Sequence, residues 1–461
     1  MRLPRHVDRA LDAGLERVRE QLHVPAGFPP DVALAAVEAA RRRPGGEHVD
    51  RTDRPFVTLD PAASTDLDQA FALELAGGDV ILHYAIADVG FFVRPGDPLD
   101  EEAWRRGLTL YLPDERARLY PAALSEGAAS LLPDGPRPAV VLTVRIDDAG
   151  DARLDGVERA LVLSRAKLGY ETVRPEDLPP EFVELSRRIA AAENRRNAPR
   201  VEFPEQVLER VDGHWELRFE TRLDSEDDNA AMSLAANLAV ADALFAAATG
   251  LFRVMADPDE RALRRLRHSA QAFGLEWPAE QPLGDLQRRL PKGDPRTAAF
   301  LIAVRRASGG ASYEPYRPGT RPWHSAMAAT YAHATAPLRR LADRYVLEAA
   351  LAVAAGRAVP DDVAAAFARL PEVMERSESR AGQVEAAVLD LAEAVLLDSR
   401  VGDMFDAVVV DEDSRGPVIQ LTDPAVLARV EAHRVDPGDT LRVCLTSVDV
   451  DARRVQFERV G

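Results

Sequence analysis

Residues 55–74 read Pro-Phe-Val-Thr-Leu-Asp-Pro-Ala-Ala-Ser-Thr-Asp-Leu-Asp-Gln-Ala-Phe-Ala-Leu-Glu. Val57 and Leu59 alternate with Phe56 and Thr58 up to Asp60, the pattern of a short strand. Pro61 ends it, having no N–H to give to a ladder. Ala62 to Thr65 are small turn residues. Asp66 and Asp68 stand two apart, which in extended backbone turns both carboxylates to one side. Phe71, Leu73 and Leu75 resume the alternation. The stretch predicts a strand–turn–strand corner that gathers three carboxylates, Asp60, Asp66 and Asp68. Like charges so close repel, and burying them unpaired is costly. A divalent cation resolves the conflict, and Mg²⁺ favours a few carboxylate oxygens together with water and phosphate. A surface Asp-rich turn accounts for the same residues through local hydrogen bonding. The stretch by itself leaves both readings open.

Further blocks along the chain bear on the choice. Val80 to Ala87 is a near-continuous apolar strand ending at Asp88, and Ala85 to Gly96 reads Ala-Ile-Ala-Asp-Val-Gly-Phe-Phe-Val-Arg-Pro-Gly. Leu99 to Ala103, Arg106-Gly107 and Leu110 to Pro113 follow. Far downstream stands Tyr331-Ala-His-Ala-Thr-Ala-Pro-Leu-Arg-Arg-Leu-Ala-Asp343. Thr335 can cap a helix there and Pro337 fits a first helical turn, which puts Arg339 near a helix N-terminus, where anions are favoured.

Asp-Pro, a spacer and Asp-Leu-Asp-x-Ala resemble the signature of the ribonuclease II (RNB) family of exoribonucleases. The two later blocks resemble further segments of that family, the last its Thr-Ser-Pro-Ile-Arg-Arg-Tyr-x-Asp motif. The family carries four aspartates in its first motif, and this chain has Gln69 in the fourth place. The resemblance implies a Mg²⁺-dependent enzyme that hydrolyses single-stranded RNA from the 3′ end to nucleoside 5′-monophosphates. It implies that Asp60, Asp66 and Asp68 hold the cation and that Arg339 meets the scissile phosphate. Tyr111 matches a tyrosine that stacks on the RNA, Phe203 falls at its aromatic partner, and Tyr170, Arg340 and Glu385 match further positions toward RNA. Stacking of bases on aromatic rings tolerates any sequence. On spacing alone each of these aromatics reads as core.

The remaining sequence sets the architecture. A chain of 461 residues exceeds one ordinary domain. The expected fold is α+β and multidomain: a helical module over 1–50, an RNB catalytic domain with a mixed sheet and surrounding helices over 51–395, and an S1-like OB-fold barrel over 400–461. In the first module, Val7, Leu11, Leu15, Val18 and Leu22 recur at helical spacing, and Asp31 is placed to cap a second helix. Such a pair fits a helix-turn-helix as well as it fits a packing appendage. In the last module, apolar alternation in 402–410, 418–421 and 441–448 and the closing stretch 454–457 mark the barrel strands.

The net charge of −18 argues against a nucleic-acid partner only globally. Residues 297–345 hold seven arginines against Glu314 and Asp343. The single cysteine, Cys444, excludes an internal disulfide, reads as a core strand residue and fits a reducing cytoplasm. No apolar run of the sequence reaches the ~18 residues of a membrane span. The chain is read as a cytoplasmic monomer whose partner is single-stranded RNA, including structured RNA with a 3′ overhang. A non-catalytic RNA-binding protein with a weakened metal site is the alternative. A DNA-directed regulator led by the N-terminal helices is a third reading.

Overall fold

A computed structural model describes the chain except residues 1–4, 199–204, 212–213, 221–222, 292–294, 308, 414–415, 423–425, 433–434, 436–437 and 461. Its centre is the strand Asp79–Ala87, nearly all of it buried. That strand pairs antiparallel with Gln69–Ala76 on one side and with Arg137–Ile146 on the other. A seven-stranded sheet results, in the order Val49–Asp50, Ala152–Val162, Arg137–Ile146, Asp79–Ala87, Gln69–Ala76, Phe56–Asp60, Ser164–Gly169. Both outermost strands join in parallel, so the sheet is mixed.

Strand alternation divides the apolar residues between two faces. Leu82, Tyr84 and Ile86, with Phe71 and Leu142, enter the main core beneath three helices: Phe182–Arg195, Asp224–Ala246 and Leu341–Ala354. Ala85, with Ala70, Ala72 and Val141, lies in a second, thinner layer with Phe56 and Leu67. The central strand is apolar throughout because both of its faces are covered. Helix Asp224–Ala246 is long and apolar enough to cross a membrane by length and composition. Met232, Ala235, Ala236, Ala239 and Val240 are buried in the main core, so its composition is that of a central core helix.

Helix Asp361–Leu397 has 37 residues and extends about 55 Å at 1.5 Å per residue. Its first half contributes Leu370 and Met374 to the main core. Its second half contributes Val384, Val388 and Leu391 to another core, shared with the C-terminal barrel. The helix therefore fastens the barrel to the catalytic body. Glu393 on its last turns accepts from Leu427 N of the barrel at 2.9 Å and from Gln206 Nε2 at 3.0 Å.

The two N-terminal helices, Arg5–Gln21 and Pro30–Ala39, are recruited by different cores. Leu11, Leu15 and Val18 pack with the long helix, where Gly14 allows an approach so close that a Cβ would stand 2.5 Å from Leu391. Val32, Ala36 and Ala39 pack into the main core. Asp31 is not the cap of the second helix: Pro30 takes its first turn and Pro29 the cap position, without a side-chain bond. A hairpin, Glu205–Val211 with His214–Glu220, closes over the first helix, its buried Trp215 donating to Asp12 Oδ1 at 3.1 Å.

The C-terminal segment is a closed five-stranded barrel, Met404–Asp413, Gly416–Leu421, Leu427–Glu431, Arg454–Arg459, Thr440–Asp449. Leu427–Glu431 is a strand that its charges hid in the sequence. Cys444 is half-buried, because alternation turns Val443 and Leu445 inward and Cys444 away from the barrel core.

Candidate active site

Strand Phe56–Asp60 ends at Asp60, and the chain re-enters the sheet at Gln69. The intervening turn is fixed from outside: Leu67 N donates to Ser130 Oγ at 2.9 Å, and Ser130 Oγ donates to Thr65 O at 2.7 Å. Asp60 lies at the end of an inner strand, half-buried, with Oδ2 enclosed and without a hydrogen-bond partner. Asp68 is buried at 5% exposure, and its Oδ1 accepts from Leu338 N at 2.7 Å. Its Oδ2 faces Arg339 Nε at 3.3 Å. Asp66 instead pairs with Arg116 Nη1 at 2.6 Å. The expectation of three carboxylates gathered in one cluster is corrected here. Among the described residues no three His, Cys, Asp or Glu side chains converge as a metal-holding group. Asp66 is paired with Arg116 and Asp68 with Arg339.

Burial pushes the carboxyls of Asp60 and Asp68 up to about 7, although Arg339 pulls both down. The Asp66 charge raises Asp60 further. The sign of the effect on stability follows. A carboxyl raised in the folded state favours folding fully below its unfolded value, 3.8, and loses that contribution as pH rises through about 7. Asp60→Asn removes one such group. In chelator at about pH 8 its melting temperature should exceed the parent's by roughly 2–4 °C, and near pH 4 the two should coincide. Equal melting at both pH values would show that Asp60 carries no buried uncompensated charge.

Arg339 projects from a loop whose backbone is held at nearly every residue. Ala334 N donates to Asn237 Oδ1 at 2.9 Å, and Ala336 N donates to Asp343 Oδ2 at 2.8 Å. Gln69 Nε2 donates to Thr335 O. Thr109 N donates to Arg339 O at 3.0 Å. The helix begins only at Leu341, with Arg340 at its cap position. Thr335 is therefore not the cap, and its hydroxyl meets Asn237 Nδ2 at 3.4 Å. The helix starts late because residues 336–340 turn back on Ala336 O and bridge to the segment at Leu108.

The two arginines of this loop differ in their surroundings. The Arg339 side chain is 46% exposed, while Arg340 is largely covered and donates Nε and Nη2 to the fully buried Asp343 at 3.0 and 2.8 Å. Arg340 is thus committed to an internal ion pair. Tyr111 is half exposed on a two-residue strand paired with Arg116–Ala117. The Arg116 guanidinium lies 5.5 Å from its ring centroid. Burial raises the phenol above its usual value, with Arg339, Asp66 and Asp68 all acting on it, so Tyr111 borders the same acidic corner. Gly107, whose φ is +70°, leads into this segment. A Cβ there would stand 2.0 Å from Ser377 Oγ of the long helix. Tyr170 stands on the other side of the corner: its N donates to Asp60 O at 3.2 Å and its hydroxyl accepts from Asn229 Nδ2 at 2.6 Å. Glu385 is exposed on the long helix. Phe203 lies outside the described residues.

Several residues that build the site gave no sequence signal strong enough to single them out. Arg116 is one of many arginines, and Asn237 looks like any polar residue of an alanine-rich helix. Asp343 was legible only as the motif's last letter. His333 is structural: its Nδ1 meets Tyr313 Oη at 2.7 Å inside an aromatic cluster with Tyr331.

A mixed sheet carrying an acidic corner, an arginine loop folded onto it and a five-stranded barrel beyond define a nuclease-like architecture, and comparison with known proteins agrees. The RNB domain family matches residues 48–354, and the RNase II-type exonuclease C-terminal S1 domain matches residues 403–460. The first match covers most of the chain, and the chain belongs to the RNB family. Ribonuclease R of Aquifex aeolicus is 26% identical over 97% of this chain and 70% of its own length. Ribonuclease R of Escherichia coli is 26% identical over 90% of this chain and 57% of its own length. The chain thus spans little more than half of the second relative. Mycoplasma genitalium RNase R, solved with ribose-methylated single-stranded RNA, superposes with a TM-score of 0.87 at 18% identity, over 98% of this chain and 78% of that one. Yeast Ssd1, described as a pseudonuclease, superposes with a TM-score of 0.67 at 18% identity, over 94% and 55%. At such identities these structures attest the fold alone.

Proposed function

We propose that this protein is a Mg²⁺-dependent 3′–5′ exoribonuclease that hydrolyses single-stranded RNA to nucleoside 5′-monophosphates. The observation that carries the reading is the meeting of the half-buried Asp60, whose Oδ2 has no partner, and the buried Asp68 with an exposed Arg339 on a rigid loop. The donor set suits a hard cation, for it consists of carboxylate oxygens and one of them, Asp60 Oδ2, has no partner. Asp60 and Asp68 would hold Mg²⁺, with Asp66 joining by release from Arg116. When bound, the cation supplies charge neutralisation at the phosphoryl oxygens and lowers the pKa of water. Arg339 binds the scissile phosphate and offsets charge as it develops, its guanidinium being preorganised by the loop. Tyr111 stacks on a terminal base, and Tyr170 supports the Asp60 edge. The reading includes a monomer working in a reducing cytoplasm, in keeping with a lone cysteine.

The test is incubation with RNA bearing a free or blocked 3′ end, with DNA of the same sequence, and with a 3′-tailed hairpin, each in Mg²⁺ or chelator. Mononucleotide release from free 3′ RNA alone, dependent on Mg²⁺, is the expected result, with the hairpin consumed into its paired region. Binding without release in every arm would instead establish an RNA-binding protein with a degenerate site. One feature favours that second reading, the pairing of Asp66 with Arg116.

Tyr111→Ala should lengthen the final fragment by roughly one or two nucleotides while leaving the rate on long RNA within about threefold. A stacking contact worth ~1–3 kcal/mol matters most when few others remain. An unchanged end product on a sequencing gel would remove Tyr111 from the RNA path.

A further inference from the structure

Two consecutive residues reach the arginine loop from the start of strand Gln69–Ala76, inside the sheet. Asp68 lies just before the strand, in irregular backbone, and accepts from Leu338 N at 2.7 Å. Gln69 opens the strand and donates its side-chain N–H to the carbonyl of Thr335, a residue only 2% exposed. The polarity of the second contact is fixed by chemistry. A backbone carbonyl only accepts, so the atom facing it must carry hydrogen, and the amide nitrogen is the one group of Gln69 that does. The two bonds have opposite sense and grip the loop three residues apart. Together they fix its distance from the sheet and its rotation about its own axis.

Arg339 depends on that grip. Its guanidinium is exposed, and the contact that orients it is Nε on Asp68 Oδ2 at 3.3 Å. The side chain is long and flexible, so its placement over Asp68 follows from where the backbone of residues 335–338 is held. Asn237 and Asp343 hold the same loop from the helices behind it. Gln69 is the partner that ties the Thr335 carbonyl to the strand carrying the acidic corner.

We propose that Gln69 is a positioning residue whose amide N–H holds the Thr335 carbonyl so that Arg339 stands over Asp68, and that the site requires a neutral donor at this position rather than a further carboxylate. The inference deepens the nuclease reading and rests on it. A carboxylate here would set two lone-pair oxygens against the Thr335 oxygen and repel the loop. It would also add negative charge next to the buried Asp68 carboxylate. The opposite view treats position 69 as a vacant ligand place, at which an acid would improve cation binding. The two views predict opposite outcomes for the same substitution.

The experiment compares Gln69→Asp, Gln69→Glu, Gln69→Leu and Gln69→Asn with the parent. The measurements are kcat and KM on 3′ single-stranded RNA, and amide hydrogen exchange of peptides covering 331–345 in chelator. Gln69→Asp, Gln69→Glu and Gln69→Leu should each lower kcat by about tenfold or more, since small misplacement of a positioned group is costly, with KM within about twofold. Their exchange should quicken in residues 334–340 and match the parent elsewhere, which also reports that the fold is intact. Gln69→Asn keeps a donor on a shorter arm and should recover part of both effects. Turnover in Gln69→Asp or Gln69→Glu equal to or above the parent's would overturn the proposal, as would unchanged loop exchange in Gln69→Leu. If the parent itself releases no nucleotide, the nuclease reading falls, while the exchange measurement still decides whether Gln69 holds the loop.

Discussion

Asp68→Asn lowers RNA hydrolysis by about a thousandfold and leaves RNA affinity within about threefold of the parent. The expectation follows from what each oxygen of Asp68 does. Oδ1 accepts from Leu338 N, and an asparagine oxygen can keep that bond. The asparagine NH₂ then faces Arg339 Nε, where Oδ2 stood at 3.3 Å, and two donors oppose each other. If the proposed function holds, one substitution thus removes a cation ligand and releases the arginine assigned to the phosphate. Loss of a single preorganised electrostatic group costs about 10²–10³ in turnover, and here two are affected. On the proposed reading RNA affinity should fall far less than the rate, since stacking on Tyr111 does not require the cation. Asp66→Asn is the informative companion, since Asp66 is already paired with Arg116. It should cost less. Gel-shift affinity and single-turnover rates in Mg²⁺ decide, and a near-normal rate for Asp68→Asn would refute the site.

How much of this was legible in the sequence differs by kind of interaction. Alternation at Val57 and Leu59, the break at Pro61, the renewed alternation at Phe71, Leu73 and Leu75 and the apolar run before Asp88 placed three strands, because period and punctuation are local properties. The resemblance paired residues 60–68 with residue 339, which are 271 or more positions apart and which no periodicity could join. The diversion of Asp66 was not legible. It depends on Arg116 arriving on a strand of two residues, set by a tertiary path through Gly107 and the long helix. The N-terminal helices were legible as helices, but not as parts of two different cores. Helical spacing shows that a face is apolar without showing what covers it. Leu427–Glu431 was missed because its outward residues are charged and its run is short. Arg340 looked equivalent to Arg339 in sequence. Only the position of Asp343, in the first turn of the following helix, tells the buried member of the pair from the exposed one.

That difference leads to the second large effect. Arg339→Ala should lower kcat by about 10²–10³ with little change in melting temperature, as expected for an exposed group acting on a phosphate. Arg339→Lys should recover only a minor part, because an ammonium offers no planar fork to two phosphate oxygens. The pH profile adds an independent signature. Arg339 pulls down the carboxyls of Asp60 and Asp68, which stand at about 7 even with its help. Without it both move higher, a smaller fraction is ionised at any given pH, and the rising limb of the rate profile shifts to more alkaline pH. Arg340→Ala should do the reverse. It leaves Asp343 buried without its partner, a loss of about 3–5 kcal/mol in stability, and its melting temperature should fall well before activity per folded molecule does. Rates measured across pH, alongside melting curves for both variants, separate the two roles. Turnover within about threefold of the parent in Arg339→Ala, or an unmoved rising limb, would mean that the exposed arginine over Asp68 does not meet the phosphate, and that the loop serves only to close the fold.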